Sequence, residues 1–425
     1  MKYFQLLLFV IFIVSCADDT PDNPEPETKP NILLIIADDM GKDATNGYSE
    51  GNIKPNTPNI DKIKNDGLTF NNVWTNPTCS PTRSAIITGK YGYRTGVKWA
   101  GDELDASENI LHNYINEITG NAYATAVVGK WHLSSFNNFN PEILGLDYYA
   151  GLIRGNVQDY YDWRLTEDGV GNFNTNYITE VFTDLAKDWV NTQTKPWFLW
   201  LAYNAPHTPF HVPPNNMHSQ GNLPDYVDGM DETPYYMAAI EALDFQIGEL
   251  MKSMTEEELN NTIIIFIGDN GTPNQVAQSP YSFSKAKGSL YQGGVNVPMF
   301  VSGKGVTRTG SDNSLIVSTD LFSTIAQLAG STTTEIHDSK SFKSLLTMES
   351  THRDFQYTER DNGTDDAWTI SDGEYKLIVN ANGNNEFYHL TNDPYENNNL
   401  ENGTLTNVEI SAKAALQAEL MEIRN

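Results

Sequence analysis

Hydrophobic positions fall into short unbroken runs separated by amphipathic stretches. Asn31 to Ala37 (NILLIIA) is a continuous apolar run rich in Ile that stops at Asp38-Asp39, and Thr262 to Ile267 (TIIIFI) stops at Gly268-Asp269-Asn270. Runs this short and this β-branched predict strands buried on both faces, hence a mostly parallel sheet covered by helices. Ala124 to Val128 and Trp197 to Leu201 are two more. Helical periodicity predicts helices over Thr57 to Asp66, Tyr177 to Asn191 and Tyr235 to Met254. Alternating strand and helix is the pattern of a wound α/β domain, whose ligands sit beyond the carboxyl ends of the strands. Both acidic clusters fall there.

The texture changes near Ser350. Trp368 to Ile370, Tyr375 to Val379 and Glu386 to Leu390 read as short strands separated by Asp372-Gly373 and Asn382-Gly383, so a small antiparallel subdomain is expected, closed by a helix over Val408 to Ile423. The expected organisation is therefore a leader over 1–15, a tether over 16–29, a mixed, mostly parallel α/β domain over 30–349 and an antiparallel C-terminal subdomain over 350–425.

At the amino terminus, Lys2 precedes nine apolar residues, Leu6 to Val14, then Ser15 and Cys16. A membrane span needs roughly 20 residues, so this run fits the core of a secretory leader. A small residue directly before a cysteine resembles a bacterial lipoprotein signal, although Ile13 and Val14 depart from the usual residues. The resemblance implies cleavage before Cys16, a lipid on its sulfur, and membrane attachment through that lipid alone. From Ala17 to Pro30 there are five acidic residues and four prolines, a composition for an extended tether. An acidic run in that place resembles the surface-export signal of Bacteroidetes lipoproteins, which implies the outer membrane.

Composition narrows the partners. The 425 residues carry 27 Lys and Arg against 55 Asp and Glu, a formal charge of −28, which argues against nucleic acid. Cys16 and Cys79 are the two cysteines. With Cys16 consumed by processing, no disulfide is available, and Cys79 stands alone.

Cys79 opens the segment Cys79-Ser80-Pro81-Thr82-Arg83, which continues to Thr88-Gly89. Pro81 suits the first turn of a helix, which places Cys79 at its start, where free N–H groups and the helix dipole favour an anion. Arg83 adds a planar fork of donors suited to the oxygens of such an anion or to the nucleophile's oxygen. The segment resembles the signature of the type I sulfatases of the alkaline phosphatase superfamily, C-x-P-x-R followed by a small residue and T-G. That resemblance implies that a maturing enzyme oxidises Cys79 to formylglycine. The hydrated aldehyde offers one hydroxyl for attack on sulfur and a second whose collapse expels sulfate.

Asp38, Asp39, Asp269 and Asn270 offer hard oxygens with no sulfur or imidazole, a set that selects Ca²⁺ or Mg²⁺ over zinc. In the family, matching positions bind calcium together with the residue at Cys79. Gly129-Lys130-Trp131-His132 resembles the family's G-K-W-H, which implies that Lys130 contacts the formylglycine and His132 is the base for sulfate elimination. His207, in Asn204-Ala-Pro-His207-Thr-Pro, resembles the histidine that meets the sulfate ester, and Lys287 the lysine that binds sulfate and the leaving oxygen. His207 and Lys287 both stand as candidates for the acid. Gln292 and Asn296 depart from the family's usual Glu and Arg. Near the end, Phe387 to Leu390 with Asp393 to Asn397 resembles the family's closing Y-x-L-x-x-D-P-x-E-x-x-N-L.

Substrate selection is expected in loops without shared motifs: Trp99 to Asp105, Tyr148 to Trp163 and Glu359 to Asn362. Arg154, Arg164, Arg360 and His211 are their candidate contacts. A surface-tethered sulfatase points to a sulfated polysaccharide or oligosaccharide. Two other readings share parts of the pattern: a phosphonate monoester hydrolase or phosphodiesterase of the same superfamily, and a non-catalytic glycan-binding lipoprotein. Against the second stands the presence of every expected catalytic residue type.

Overall fold

The computed structural model of the chain describes residues 29–136, 141 and 143–425. The expected leader, Cys16 and the tether through residue 28 lie outside the described residues. Among the described residues, no helix is long and apolar enough to cross a membrane.

Ten strands make the main sheet: β1 (Asn31–Ala37), β2 (Leu68–Trp74), β3 (Ala124–Lys130), β4 (Tyr149–Leu152), β5 (Trp163–Glu167), β6 (Val170–Asn174), β7 (Trp197–Ala202), β8 (Thr262–Gly268), β9 (Met299–Gly303) and β10 (Gly310–Val317). Their order is β10-β2-β9-β8-β1-β7-β3-β4-β5-β6. β1 runs parallel to β7 and β8, and β3 is parallel to β7 and β4, whereas β9 is antiparallel to both β2 and β8. β4–β5–β6 form an antiparallel edge. The sheet is mixed, as expected.

All seven residues of β1 are buried because both sheet faces are covered. Side chains alternate across a strand, so Ile32, Leu34 and Ile36 join one core with Trp200, Ile265 and Phe322, while Leu33 and Ile35 join another with Leu199, Phe182 and Ile240. Helices Leu111–Thr119 and Asp320–Ala329 cover the first face. Helices Pro58–Asn65, Ile178–Asn191 and Thr233–Ser253 cover the second.

After a two-stranded hairpin, β11 (Glu335–Ile336) and β12 (Ser339–Lys340), four strands complete the molecule: β13 (Gln356–Arg360), β14 (Ala367–Ser371), β15 (Tyr375–Asn380) and β16 (Glu386–His389), antiparallel in that order. Helix Asn407–Arg424 buries Leu416 and Leu420 against Tyr357, Leu377 and Phe387. An apolar seam of Trp74, Val295 and Val317 with Ala367, Ile378 and Tyr388 fuses this small sheet to the main domain. The C-terminal motif residue Glu396 is part of that join. Its carboxylate accepts from Lys376 Nζ at 2.5 Å and from the Gln292 amide at 2.7 Å, and its carbonyl accepts from Lys285 Nζ.

Two expected loops contain strand. Tyr148 to Trp163 begins with β4, which gains its hydrogen bonds from parallel pairing beside β3 rather than from an apolar pattern of its own. Glu359 and Arg360 end β13, where Arg360 pairs with Ala367.

Candidate active site

The carboxyl ends of the central strands converge on one point. Asp38 and Asp39 follow β1, Lys130 ends β3, and Asp269 and Asn270 follow β8. β2 leads into helix Cys79–Thr88, which sets Cys79 at the first helical position. Thr82 braces this turn, since its Oγ1 accepts from the Asn76 amide at 3.0 Å and donates to the Thr78 carbonyl at 3.2 Å. Gly89 ends the helix at φ 69°, the left-handed conformation that favours glycine.

Asp38, Asp39, Cys79 and His207 place one ligand-type atom each within 4.8 Å of one another. Asp269 and Asn270 attach directly. The Asp39 amide donates to Asp269 Oδ1 at 3.0 Å, and Asn270 Nδ2 donates to Asp39 Oδ1 at 2.7 Å. Arg83 is fully buried and spans the cluster, donating to the Lys130 carbonyl at 2.7 Å and Asp269 Oδ2 at 2.8 Å. Lys130 Nζ meets Asp38 Oδ2 at 2.5 Å, and Lys287 Nζ meets Asp39 Oδ2 at 2.6 Å. His207 Nε2 lies 3.7 Å from the same Asp39 oxygen. The structure therefore gathers Cys79, Arg83, Lys130, His207, Lys287 and the four oxygen-bearing residues into one buried cluster.

Electrostatics follow from this packing. Burial opposes charge on Asp39, but Lys287, His207 and Lys130 outweigh it and hold the carboxyl below its usual range. Burial, reinforced by Asp38, pushes Asp269 up to about 6. Burial lowers His207 to about 4, and burial with the neighbouring cations keeps His132 well below the ordinary histidine value. An unmodified Cys79 thiol is pushed by burial up to about 12, so it would not ionise at neutral pH. His207 Nδ1 lies 2.7 Å from the Thr208 carbonyl, which can only accept, so Nδ1 carries the hydrogen and Nε2 is left as an acceptor.

Two side-chain oxygens here, Asp38 Oδ1 and Asn270 Oδ1, are buried without a hydrogen-bond partner. A buried unpaired oxygen is costly. With Asp39 beside them, they make a hard-oxygen set that fits a divalent cation such as calcium or magnesium.

Asp39 (φ 67°) and His132 (φ 59°) both adopt left-handed backbone, a strain of order 1 kcal/mol or more that structures tolerate chiefly at functional positions. Asp39 is braced by Tyr236, whose hydroxyl donates to its carbonyl at 2.7 Å. His132 is braced by the segment after β4: its amide donates to the Ile153 carbonyl at 3.0 Å. Gly155 packs on its ring so closely that a Cβ would lie 2.0–2.3 Å from three ring atoms. Sequence reading missed Tyr236, Gly155 and Tyr160, whose hydroxyl donates to the carbonyls of Asn204 and His207. None carries a local motif, because each acts by space or through a backbone carbonyl on a residue distant in sequence.

The candidate substrate residues lie around the buried cluster rather than in it. His211 stacks on Tyr160 with ring centres 3.5 Å apart and meets Tyr177 Oη at 3.1 Å and the Pro209 carbonyl at 3.0 Å, so both its nitrogens are engaged within the protein. Arg360 Nε donates to the Asp365 carbonyl across its own turn. Arg154 is exposed beside Gly155. Trp99 reaches the loop next to Lys287, with an indole carbon 3.9 Å from where a Gly288 Cβ would stand. The Trp99 loop is tied to the Cys79 helix by Gly101, whose amide donates to Ser80 Oγ at 2.9 Å.

Comparison with known proteins gives two family matches: a sequence model described as Sulfatase over residues 30–331, and one described as N-sulphoglucosamine sulphohydrolase, C-terminal, over residues 283–425. Arylsulfatase J of Mus musculus is 28% identical over 73% of this chain and 54% of its own length. N-acetylgalactosamine-6-sulfatase of Homo sapiens is 28% identical over 73% of this chain and 63% of its own. The chain thus spans little more than half to under two thirds of these relatives. A solved structure of a protein bound to its substrate D-glucosamine-2-N,6-O-disulfate shares the fold, with a TM-score of 0.78 and 20% identity over 93% of this chain and 98% of that one.

Proposed function

The chain belongs to the sulfatase family, and on that premise we propose that it hydrolyses sulfate esters of a sulfated carbohydrate at Cys79, once a maturing enzyme has converted that residue to formylglycine. The observation that carries this reading is the buried convergence of Cys79, at a helix start, with three cationic side chains and an oxygen-rich cation site. Matches to sulfatases do not favour the phosphonate ester alternative.

Asp38, Asp39, Asp269 and Asn270 would hold the metal, proposed as calcium, which would supply charge neutralisation for the ester and acidify the nucleophile. Formylglycine hydrate would supply the attacking hydroxyl. The chain's own groups do the rest. Arg83, locked by Asp269 and the Lys130 carbonyl, holds the nucleophile's position and contributes fixed positive charge. Lys287 keeps its proton beside Asp39, since burial is outweighed by the neighbouring anions, and it stabilises charge on the leaving oxygen. His132 stays neutral through burial and the nearby cations, which leaves it able to accept the proton whose removal expels sulfate. The carbohydrate assignment draws on the sugar named for the human relative and on the expected surface tether.

Hydrolysis of an aryl sulfate by protein with converted Cys79, set beside an aryl phosphonate, tests the reaction class. Faster phosphonate turnover, or no turnover of either, would overturn it. We also propose that a lipid on Cys16 tethers the chain to the outer membrane. Cys16→Ala should release it from the membrane fraction, and unchanged partition would sink that placement.

A further inference from the structure

The wall behind His132 continues outward into a cationic surface. Gly155 lies directly on the His132 ring, and Arg154, its neighbour in the chain, emerges into solvent. The guanidinium carbon of Arg154 is 5.4 Å from the centre of the Phe136 ring, and that of Arg164 is 5.3 Å from the same centre. Phe136 lies four residues past His132 and is still 49% exposed, so the two arginines do not cover it. Arg164 is held in place: it lies across Gly171 on the facing strand β6, where a Cβ would stand 2.3 Å from its Nε and Nη2. Among the described residues, neither arginine forms an ion pair with a carboxylate.

That arrangement is unexpected for this chain. Acidic side chains outnumber basic ones by 55 to 27, so an exposed cation has abundant partners available. Here two guanidiniums lie against one aromatic ring, so an anionic group brought to that ring meets two cations with no carboxylate partner among the described residues. Guanidinium forks match the oxygens of sulfate and carboxylate, and an exposed aromatic face suits the apolar side of a sugar ring.

We propose that Phe136, Arg154 and Arg164 form a subsite beside the sulfate pocket for a second anionic group on the carbohydrate substrate. The enzyme would then prefer sugars that carry another sulfate or a uronate next to the sulfate it removes. This inference rests on the sulfatase reading and narrows its substrate class.

Steady-state kinetics on sulfated disaccharides tests it, pairing each monosulfated member with its disulfated and its uronate-containing counterpart. 4-Nitrophenyl sulfate serves as the reference substrate, and saccharides that are not cleaved are read as competitors of its hydrolysis. The wild type should favour doubly anionic members by at least about tenfold in kcat/KM or in inhibition constant. Arg154→Ala and Arg164→Ala should each remove most of that preference while leaving nitrophenyl sulfate turnover unchanged, and Arg154→Lys should keep part of it. The disulfated and uronate arms report which anion is held. Equal handling of singly and doubly anionic sugars by the wild type, or an unchanged preference in both alanine variants, overturns the subsite while leaving the sulfatase reading intact. Loss of nitrophenyl sulfate turnover in the wild type sinks that reading, and the subsite with it.

Discussion

Gly155→Ala should damage catalysis without replacing any group that reacts. The new methyl would stand 2.0 Å from His132 Cε1, 2.2 Å from Nε2 and 2.3 Å from Nδ1, whereas ordinary contact begins near 3.4 Å. Restoring contact requires the ring, or the strand end behind it, to move by about 1 Å or more. The ring has little freedom, because His132 is fixed at φ 59° and its amide is held by the Ile153 carbonyl. A displacement of about 1 Å at a catalytic group costs on the order of 10²-fold in rate. Overpacking a buried site costs roughly 1–3 kcal/mol of stability. The expected result is kcat on an aryl sulfate down about 100-fold, KM changed far less, and a folded protein with a modestly lower unfolding midpoint. Conversion of Cys79 must be checked by mass in the same preparation. A folded, converted variant with wild-type kcat would refute the assignment of His132 as a positioned base braced by Gly155.

Asp38→Asn removes a carboxylate from the proposed cation site, so added calcium should stabilise the wild type but not the variant, and kcat should fall at least about 100-fold; equal calcium-induced shifts in thermal midpoint would count against a metal there. Asp320, which is not among the site residues, takes hydrogen bonds from Arg353, His352 and the Val317 and Lys340 amides. Burial opposes its charge, but Arg353 and His352 prevail and lower it from 3.8 to about 2. A depressed carboxyl stabilises the fold above its unfolded value and loses that contribution as pH falls from about 4 towards 2, here about 2 kcal/mol. Asp320→Asn should lower stability by about 3–5 kcal/mol at neutral pH, since it strands a largely buried arginine, and the gap from wild type should narrow below pH 4. Denaturant midpoints at both pH values decide this, and equal midpoints at neutral pH would sink it.

Legibility in the sequence followed burial. NILLIIA was readable because a strand covered on both faces favours apolar residues throughout, here Ile32 to Ala37. Helix limits fell within a residue or two, as with Ile178–Asn191 and Thr233–Ser253, where amphipathic spacing is long enough to register. β4 and β6 were not readable: the first is four residues including a glycine, and the second is largely exposed, so its Val170 and Phe173 mark no core. Their order comes from pairing, which leaves no local pattern. The same division holds at the site. Asp38, Asp39, Cys79, Lys130, His207 and Lys287 stand in motifs or at strand ends, so their types and positions could be singled out. Gly155, Tyr160 and Tyr236 act by space or through backbone carbonyls, and only the folded chain brings them to His132, His207 and Asp39.

The central claim, that this pocket cleaves sulfate esters through a modified Cys79, meets its most direct test in one paired measurement. The peptide containing Cys79 is weighed in protein from a host that carries a maturing enzyme, and aryl sulfate turnover is recorded on the same sample. The account predicts a loss of about 18 Da, cysteine becoming formylglycine, in proportion to activity across preparations. Full activity from protein whose Cys79 remains an unmodified thiol would contradict it.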